Sequence, residues 1–341
     1  DHRDLHKEYR RQRQMCIRDR HRYHVGGSRV ALAVFAVAFL LQGLSNGYYL
    51  YFFFFPVAIL GSYFLLRPRR ARRRVFLDFG VTALAVAGVL MPVAMVYYEV
   101  RQGQGLVRGI GEILFYSADL ASYFHGVPSL FVWGDWLTRG APEAQLFAGM
   151  TLMLLVGATL LTVTGTNPAV RALHLEQRAG MSLRILVCLY TGIAVGALLL
   201  SLGPEPRAWG IPFLPFSPYQ VAIWLFPGLD GLRVPARLAM VVYLGLSVLA
   251  GIGVAAWFPR FSSAVRTGLG LTLAALILLE GYRGPFPLEA LPRERSFDTV
   301  IYDWLADSPA GGVLELPLPV SYTHLRAHET RHDLVCRLLL E

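Results

Sequence analysis

About seven stretches of this chain are long, apolar and almost free of charge, and each approaches the roughly 20 residues that a helix needs to cross a hydrocarbon core. They fall at 28–43, 46–66, 75–98, 145–165, 184–202, 236–257 and 265–282. Of the 341 residues, 55% are hydrophobic and only 16% charged. A soluble domain of that length needs far more polar surface, whereas a membrane protein turns its apolar side chains to lipid. The fold class expected is an all-α polytopic membrane protein. The first two spans are separated only by Ser45-Asn46-Gly47 and form a tight helical hairpin. Pro56 and Pro92 lie inside spans, where neighbouring helices can re-satisfy the freed carbonyls.

Arginine sets the expected orientation. Arg67, Arg69, Arg70, Arg72, Arg73 and Arg74 follow the second span, a run that belongs on the cytoplasmic side. Arg22 and Arg29, Arg171 and Arg178, and Arg260 then fall on the same side. The connections at 99–144 and 203–235, and everything after 283, lie opposite. These assignments describe a multi-pass protein of a bacterial inner membrane, its N-terminal side cytoplasmic and its C-terminal side extracytoplasmic. The net charge of +9 is absorbed by membrane-flanking loops and does not point to nucleic acid.

Both ends differ in kind from the body. Residues 1–20 and 321–341 carry Cys16, Cys336 and the only lysine, Lys7, and they resemble translated sequencing-library adapter. His324, His328 and His332 have a spacing that could bind a metal on one helix face, but in such a segment it is taken as an artefact. No metal and no cofactor are expected. Cys188 is the remaining cysteine and lies within a span, so no disulfide framework is expected. The body divides into a transmembrane domain at 21–283 and the truncated start of an extracytoplasmic α/β domain at 284–320. There, Phe297–Ala306 has a helical pattern, Ser308–Gly312 is a turn and Val313–Leu316 a strand.

Several apparent motifs lack context. Asp78-Phe79-Gly80 begins a span and has no kinase surroundings. The glycines at 103–111 and at 268–270 follow no strand, so a dinucleotide site is unsupported. Ser247, Gly251 and Ala255 recur every four residues, a small-residue ridge of the sort that lets membrane helices approach closely.

The outer connections carry the candidate chemistry. Residues 115–137 are rich in aromatics, with Asp119, His125 and Asp135 among them, and suit helices lying in the interface. Residues 204–228 repeat that chemistry with many prolines, and simple interfacial anchoring explains each aromatic equally well. Leu41–Tyr49 forms a polar knot between the first two spans, and its Asn46 and Tyr48, together with Asp119 and His125 of the aromatic loop, are possible outer-face substrate contacts. Asn46-Gly47 is also an ordinary turn. Pro227–Arg237 leads into the sixth span and sets two arginines against the prevailing charge bias. Pro235 suits the first turn of a helix beginning near Val234, and Arg233 and Arg237 at i, i+4 could clamp a lipid phosphate there. An Asp230–Arg233 salt bridge or headgroup snorkelling is the competing explanation.

These strings, the aromatic loop and the segment VIYDWLADSPAGGVLELPLP together resemble large bacterial membrane proteins of the GT-C glycosyltransferase type. The resemblance covers most of the body. It implies transfer of a sugar from a polyprenyl-phosphate carrier on the extracytoplasmic face, serving cell-envelope glycan assembly. The catalytic base of that class is usually an acidic residue in the first outer loop. The chain is expected to begin downstream of that loop, so no base is assigned here and neither Asp119 nor Asp135 is nominated. A fragment lacking that region is expected to be inactive by itself. The partners implied are the lipid bilayer and the polyprenyl-phosphate sugar donor. A non-catalytic transporter or envelope-assembly scaffold of the same architecture is the alternative, although inverted repeats and midplane ionisable groups are not evident.

Overall fold

The computed structural model describes residues 28–67, 72–104, 109–140, 142–164, 182–226 and 228–284, together with Trp304 and Asp307. The chain divides into two units, Asp1–Phe286 and Pro287–Glu341. The two adapter-like ends, the histidine triplet, the basic loop around Arg171 and the proposed strand at 313–316 lie outside the described residues. In the second unit the described positions, Trp304 and Asp307, are helical and exposed.

The first unit is built from helices. α1 (Arg29–Ser45) starts where the Ser28 hydroxyl accepts the Ala31 N–H at 3.3 Å. α2 (Gly47–Leu66) follows after one residue. Asn46 ends α1 and caps α2, its Oδ1 accepting the Tyr48 N–H at 2.9 Å, so the turn is as tight as the sequence indicates. α3 (Arg72–Gln104) has 33 residues, about 50 Å of helix, which exceeds the hydrocarbon thickness. Its start is tied to α1 by Arg29 on Asp78 at 3.2 Å, which gives the Asp78-Phe79-Gly80 triplet a structural partner. α4 (Ile110–Phe115) and α5 (Gly134–Leu137) are short, and α6 (Met150–Thr164), α7 (Leu183–Ser201), α8 (Pro218–Leu225), α9 (Ala239–Trp257) and α10 (Ser263–Glu280) complete the α-helices among the described residues.

Five helices are long and apolar enough to cross a membrane, at Gly47–Leu66, Arg73–Gly103, Leu183–Ser201, Pro235–Arg260 and Ser263–Glu280. The expected spans at 28–43 and 145–165 correspond to α1 and α6, which are apolar but shorter. The second of these starts late because residues 145–149 are irregular, with Gly149 at φ +96.

α7 and α9 form the central pair, with α6 against α9 and α2 against α7. The close approach runs through glycines other than the ridge expected from sequence. Ser247 and Gly251 are exposed, and nothing lies within 4 Å of a Cβ placed on Gly251. On the opposite face, a Cβ on Gly245 would stand 2.8 Å from the Ala194 Cβ and 3.1 Å from the Tyr190 carbonyl. A Cβ on Gly253 would overlap the Thr159 hydroxyl, and Thr159 is fully buried. α3 and α10 bury none of their membrane windows inside the protein and present apolar side chains outward.

The connections assigned to the outer side meet at one end of this bundle. Tyr48 contacts Arg233, Asp119 contacts Trp209, the Phe131 N–H donates to Tyr282 at 3.0 Å and the Gly284 N–H to Ser129 at 2.9 Å. The fold is not purely helical there. β1 (Arg207–Ala208) and β2 (Ile211–Pro212) pair antiparallel, Ala208 opposite Ile211. Trp209 and Gly210 form the turn with φ of +51 and +81, as a two-residue hairpin with both central residues left-handed requires. In place of extended interfacial helices, 115–137 folds into short turns, one of them the 3-10 segment Leu120–Phe124.

Candidate functional site

The site sits at that end, where the hairpin of α1 and α2 meets the chain leading into α9. That chain is a 3-10 turn, Pro235–Leu238, capped by Val234 and continuing into α9. Pro235 therefore opens the turn as expected, but the α-helix itself starts four residues later, so Arg233 and Arg237 are not neighbours on an α-helical face.

They converge by another route, on Tyr48. The Asn46 cap holds Tyr48 in the first turn of α2, and the Tyr48 hydroxyl accepts the Arg233 backbone N–H at 3.0 Å. The Arg237 guanidinium lies 5.4 Å from the Tyr48 ring centroid, within cation–π range. Tyr116 makes the matching wall. Its ring centre is 4.2 Å from the Arg233 guanidinium carbon, its hydroxyl accepts from Arg233 Nη2, and its carbonyl accepts the Ala236 N–H at 3.3 Å.

Each arginine already has a carboxylate. Arg233 Nε stands 2.9 Å from Glu112, and Arg237 donates twice to Glu143, from Nη2 at 2.8 Å and from Nε at 3.4 Å. Both arginine side chains remain 44% exposed, which leaves guanidinium edge open to a further acceptor. Asp230 does not pair with Arg233, contrary to the competing explanation from sequence. It pairs with Arg101, from the last turn of α3. That ion pair ties the long helix to the loop ahead of α9.

Below this polar rim lies an apolar cavity of about 520 Å³. Its walls come from α1, α2, α3 and α8, including Phe39, Phe55, Val86, Ala87 and Phe226. Its upper lining reaches the rim. Leu229 precedes Asp230, Leu238 follows Arg237, and the Tyr51 hydroxyl lies against Gly228, whose φ is +89. Tyr219 from α8 lines the cavity too and is almost completely buried. Burial pushes its hydroxyl pKa upward, and the Asp230 carboxylate adds to that shift.

The remaining candidates have structural employment. One oxygen of Asp119 accepts from Ala121 at 2.7 Å and from Trp209 at 2.8 Å, while the other accepts from Gly210 at 2.7 Å. Asp119 thereby caps the 3-10 segment and pins the hairpin. His125 accepts the Phe147 N–H at its carbonyl, 2.9 Å, and its buried Nδ1 has no hydrogen-bond partner among the described residues. Neither is in contact with the arginine pair in any described interaction. Asp135 stands in the first turn of α5. Among the described residues no group of three or more His, Cys, Asp or Glu stands close enough to hold a metal ion.

Sequence reasoning did not find Arg101, Glu112, Tyr116, Glu143 or Tyr219. Arg237 and Glu143 are 94 residues apart and Arg101 and Asp230 are 129 apart, so no local spacing joins them. No family model matches the chain, and neither a curated protein nor a solved structure matches it.

Proposed function

We propose that this chain belongs to a membrane glycosyltransferase of the GT-C type, which takes a sugar from a polyprenyl-phosphate carrier for cell-envelope glycan assembly. The observation that carries the reading is the apolar cavity between α1, α2, α3 and α8, whose lining residues Leu229 and Leu238 bracket the segment that carries Arg233, Arg237 and Asp230, the partner of Arg101. A long isoprenoid tail would lie in the cavity among helices that are themselves lipid-facing, and its phosphate would reach the guanidinium edges that Glu112 and Glu143 leave open. Arginine suits that role because its planar fork presents several donors to phosphate oxygens. The bilayer supplies the carrier laterally, along the exposed face of α3.

A non-catalytic transporter or assembly scaffold is the competing reading. Glu112 and Glu143 favour it, since they already neutralise both arginines without any ligand.

The experiment uses the full chain in nanodiscs and a polyprenyl phosphate carrying a photoreactive group in its tail. Crosslinks should map to α2, α3 and α8. Ala87→Trp, which fills the cavity from an exposed position, should abolish them. Arg233→Ala and Arg237→Ala should each weaken capture, and Lys at either position should restore it only partly. Undiminished capture by the double alanine variant removes the phosphate role. Capture of a polyprenyl-phosphate sugar without transfer of that sugar decides for the scaffold.

A further inference from the structure

We infer that the buried corner formed by Asp230 and Tyr219 is a recognition site for a headgroup hydroxyl of the lipid that occupies the cavity. The inference rests on the lipid-binding reading above. It adds what that reading leaves open, namely which part of the ligand is read by which residues.

Two polar atoms in this corner are unaccounted for by the fold. Asp230 Oδ2 is engaged by Arg101, but its Oδ1 is buried and has no hydrogen-bond partner among the described residues. The Tyr219 hydroxyl is in the same condition, on a residue only 1% exposed that lines the cavity. Leu229, the residue before Asp230, lines the same cavity as Tyr219. α8, which carries Tyr219, packs on the turn Leu229–Gly231 that carries Asp230. Leaving buried polar atoms unpaired is unfavourable, and native proteins rarely do so without a use.

The chemistry of the corner selects its guest. Arg101 already balances the Asp230 charge, so the corner offers one acceptor and one hydroxyl that can donate or accept. An anionic oxygen would face the carboxylate and be repelled. An alcohol donates to Asp230 Oδ1 while accepting from Tyr219. The phosphate therefore belongs at Arg233 and Arg237, and a hydroxyl belongs at the corner. Two lipids share that chemistry: a polyprenyl phosphate bearing a hexose, and phosphatidylglycerol.

The test compares wild type with Tyr219→Phe, using the full chain in phosphatidylcholine nanodiscs. Three probes are added: bare polyprenyl phosphate, polyprenyl-phosphate hexose, and phosphatidylglycerol. Tyr219→Phe removes a hydroxyl that bonds nothing in the fold, so the unliganded variant should melt at the wild-type temperature or above it. It should bind the hydroxylated probe about three- to tenfold more weakly, the loss expected for one hydrogen bond, with bare phosphate unaffected. Asp230→Ala should show the same selectivity, with lower stability because Arg101 loses its partner. Which hydroxylated probe responds identifies the source, sugar or glycerol. Equal affinity of Tyr219→Phe and wild type for both hydroxylated lipids overturns the inference, leaving water as the occupant. So does a lowered melting temperature in Tyr219→Phe, or wild type binding no hydroxylated probe. Failure of bare polyprenyl phosphate alone to bind counts against the glycosyltransferase reading and leaves the phosphatidylglycerol comparison to decide this one.

Discussion

Asp119 accepts the backbone N–H of Trp209 at 2.8 Å, joining the aromatic loop to the tip of a hairpin 90 residues further along the chain. The same carboxylate takes the Gly210 N–H at 2.7 Å and caps its own 3-10 segment. An acidic residue where the loops gather at one end of a helical bundle invites a catalytic reading, but this one is held by three backbone donors. Asp119→Ala should cost about 2–3 kcal/mol of stability, about 1 kcal/mol for the lost cap and about 0.5–1 kcal/mol for each of the two solvent-exposed bonds to the hairpin. Thermal unfolding in detergent measures it. A variant as stable as wild type would free Asp119 for a functional role.

The face of α9 that packs can be read by adding one carbon at a time. Gly253→Ala should destabilise by about 1–3 kcal/mol, because the new methyl overlaps the buried Thr159 hydroxyl. Gly251→Ala meets nothing within 4 Å and should be neutral or slightly stabilising through helix propensity. Parallel melting curves check the pair. The opposite order would restore the ridge of Ser247, Gly251 and Ala255 as the contact surface.

The Arg101–Asp230 bridge should hold the end of α3 to the loop before α9. Both partners are less than a third exposed, so solvent screens them only partly. A double-mutant cycle on Arg101→Ala and Asp230→Ala should give a coupling of about 1–3 kcal/mol. A coupling near zero would mean that α3 is placed by its contacts with α1 and α2 alone.

Glu112 and Glu143 compete with any anion for the arginines. Replacing Glu143 by Gln keeps its shape and removes its charge. Glu143→Gln should raise affinity for a lipid phosphate severalfold and steepen its salt dependence, since Arg237 then has no fixed counter-ion. Binding titrations at two ionic strengths provide the readout, and a weaker-binding variant would show that Glu143 orients Arg237 instead of competing for it.

Sidedness is testable from exposed positions. In a background with Cys16, Cys188 and Cys336 all replaced by Ser, cysteines at Trp136 and Ile211 should react with a membrane-impermeant thiol reagent in intact cells, while one at Leu66 should not. All three positions are well exposed at the protein surface, so the membrane alone sets the difference. Labelling at Leu66 with protection of the other two would invert the orientation.

Much of the architecture was legible locally. Hydrophobic runs place the starts of the five membrane-length helices within a few residues, although α3 runs on past 98 to Gln104, because a helix in lipid must satisfy its own backbone bonds and carry an apolar surface along its whole length. The Asn46 turn was equally legible, since a cap is a bond between residues two apart. The same physics hides the rest. In a membrane both the packed and the lipid-facing sides of a helix are apolar, so no periodicity separates Gly253 from Gly251, and only the position of α6 beside α9 decides which glycine is needed. The polar rim was half visible. Arg233, Arg237, Asn46 and Tyr48 stand out as polar residues at span ends, and the structure gathers them around one tyrosine ring and hydroxyl. Their partners did not stand out. Glu112 and Glu143, and likewise Arg101 as the partner of Asp230, come from segments brought together only when the helices stack, and a charge's partner is set by distance in space, not by spacing along the chain.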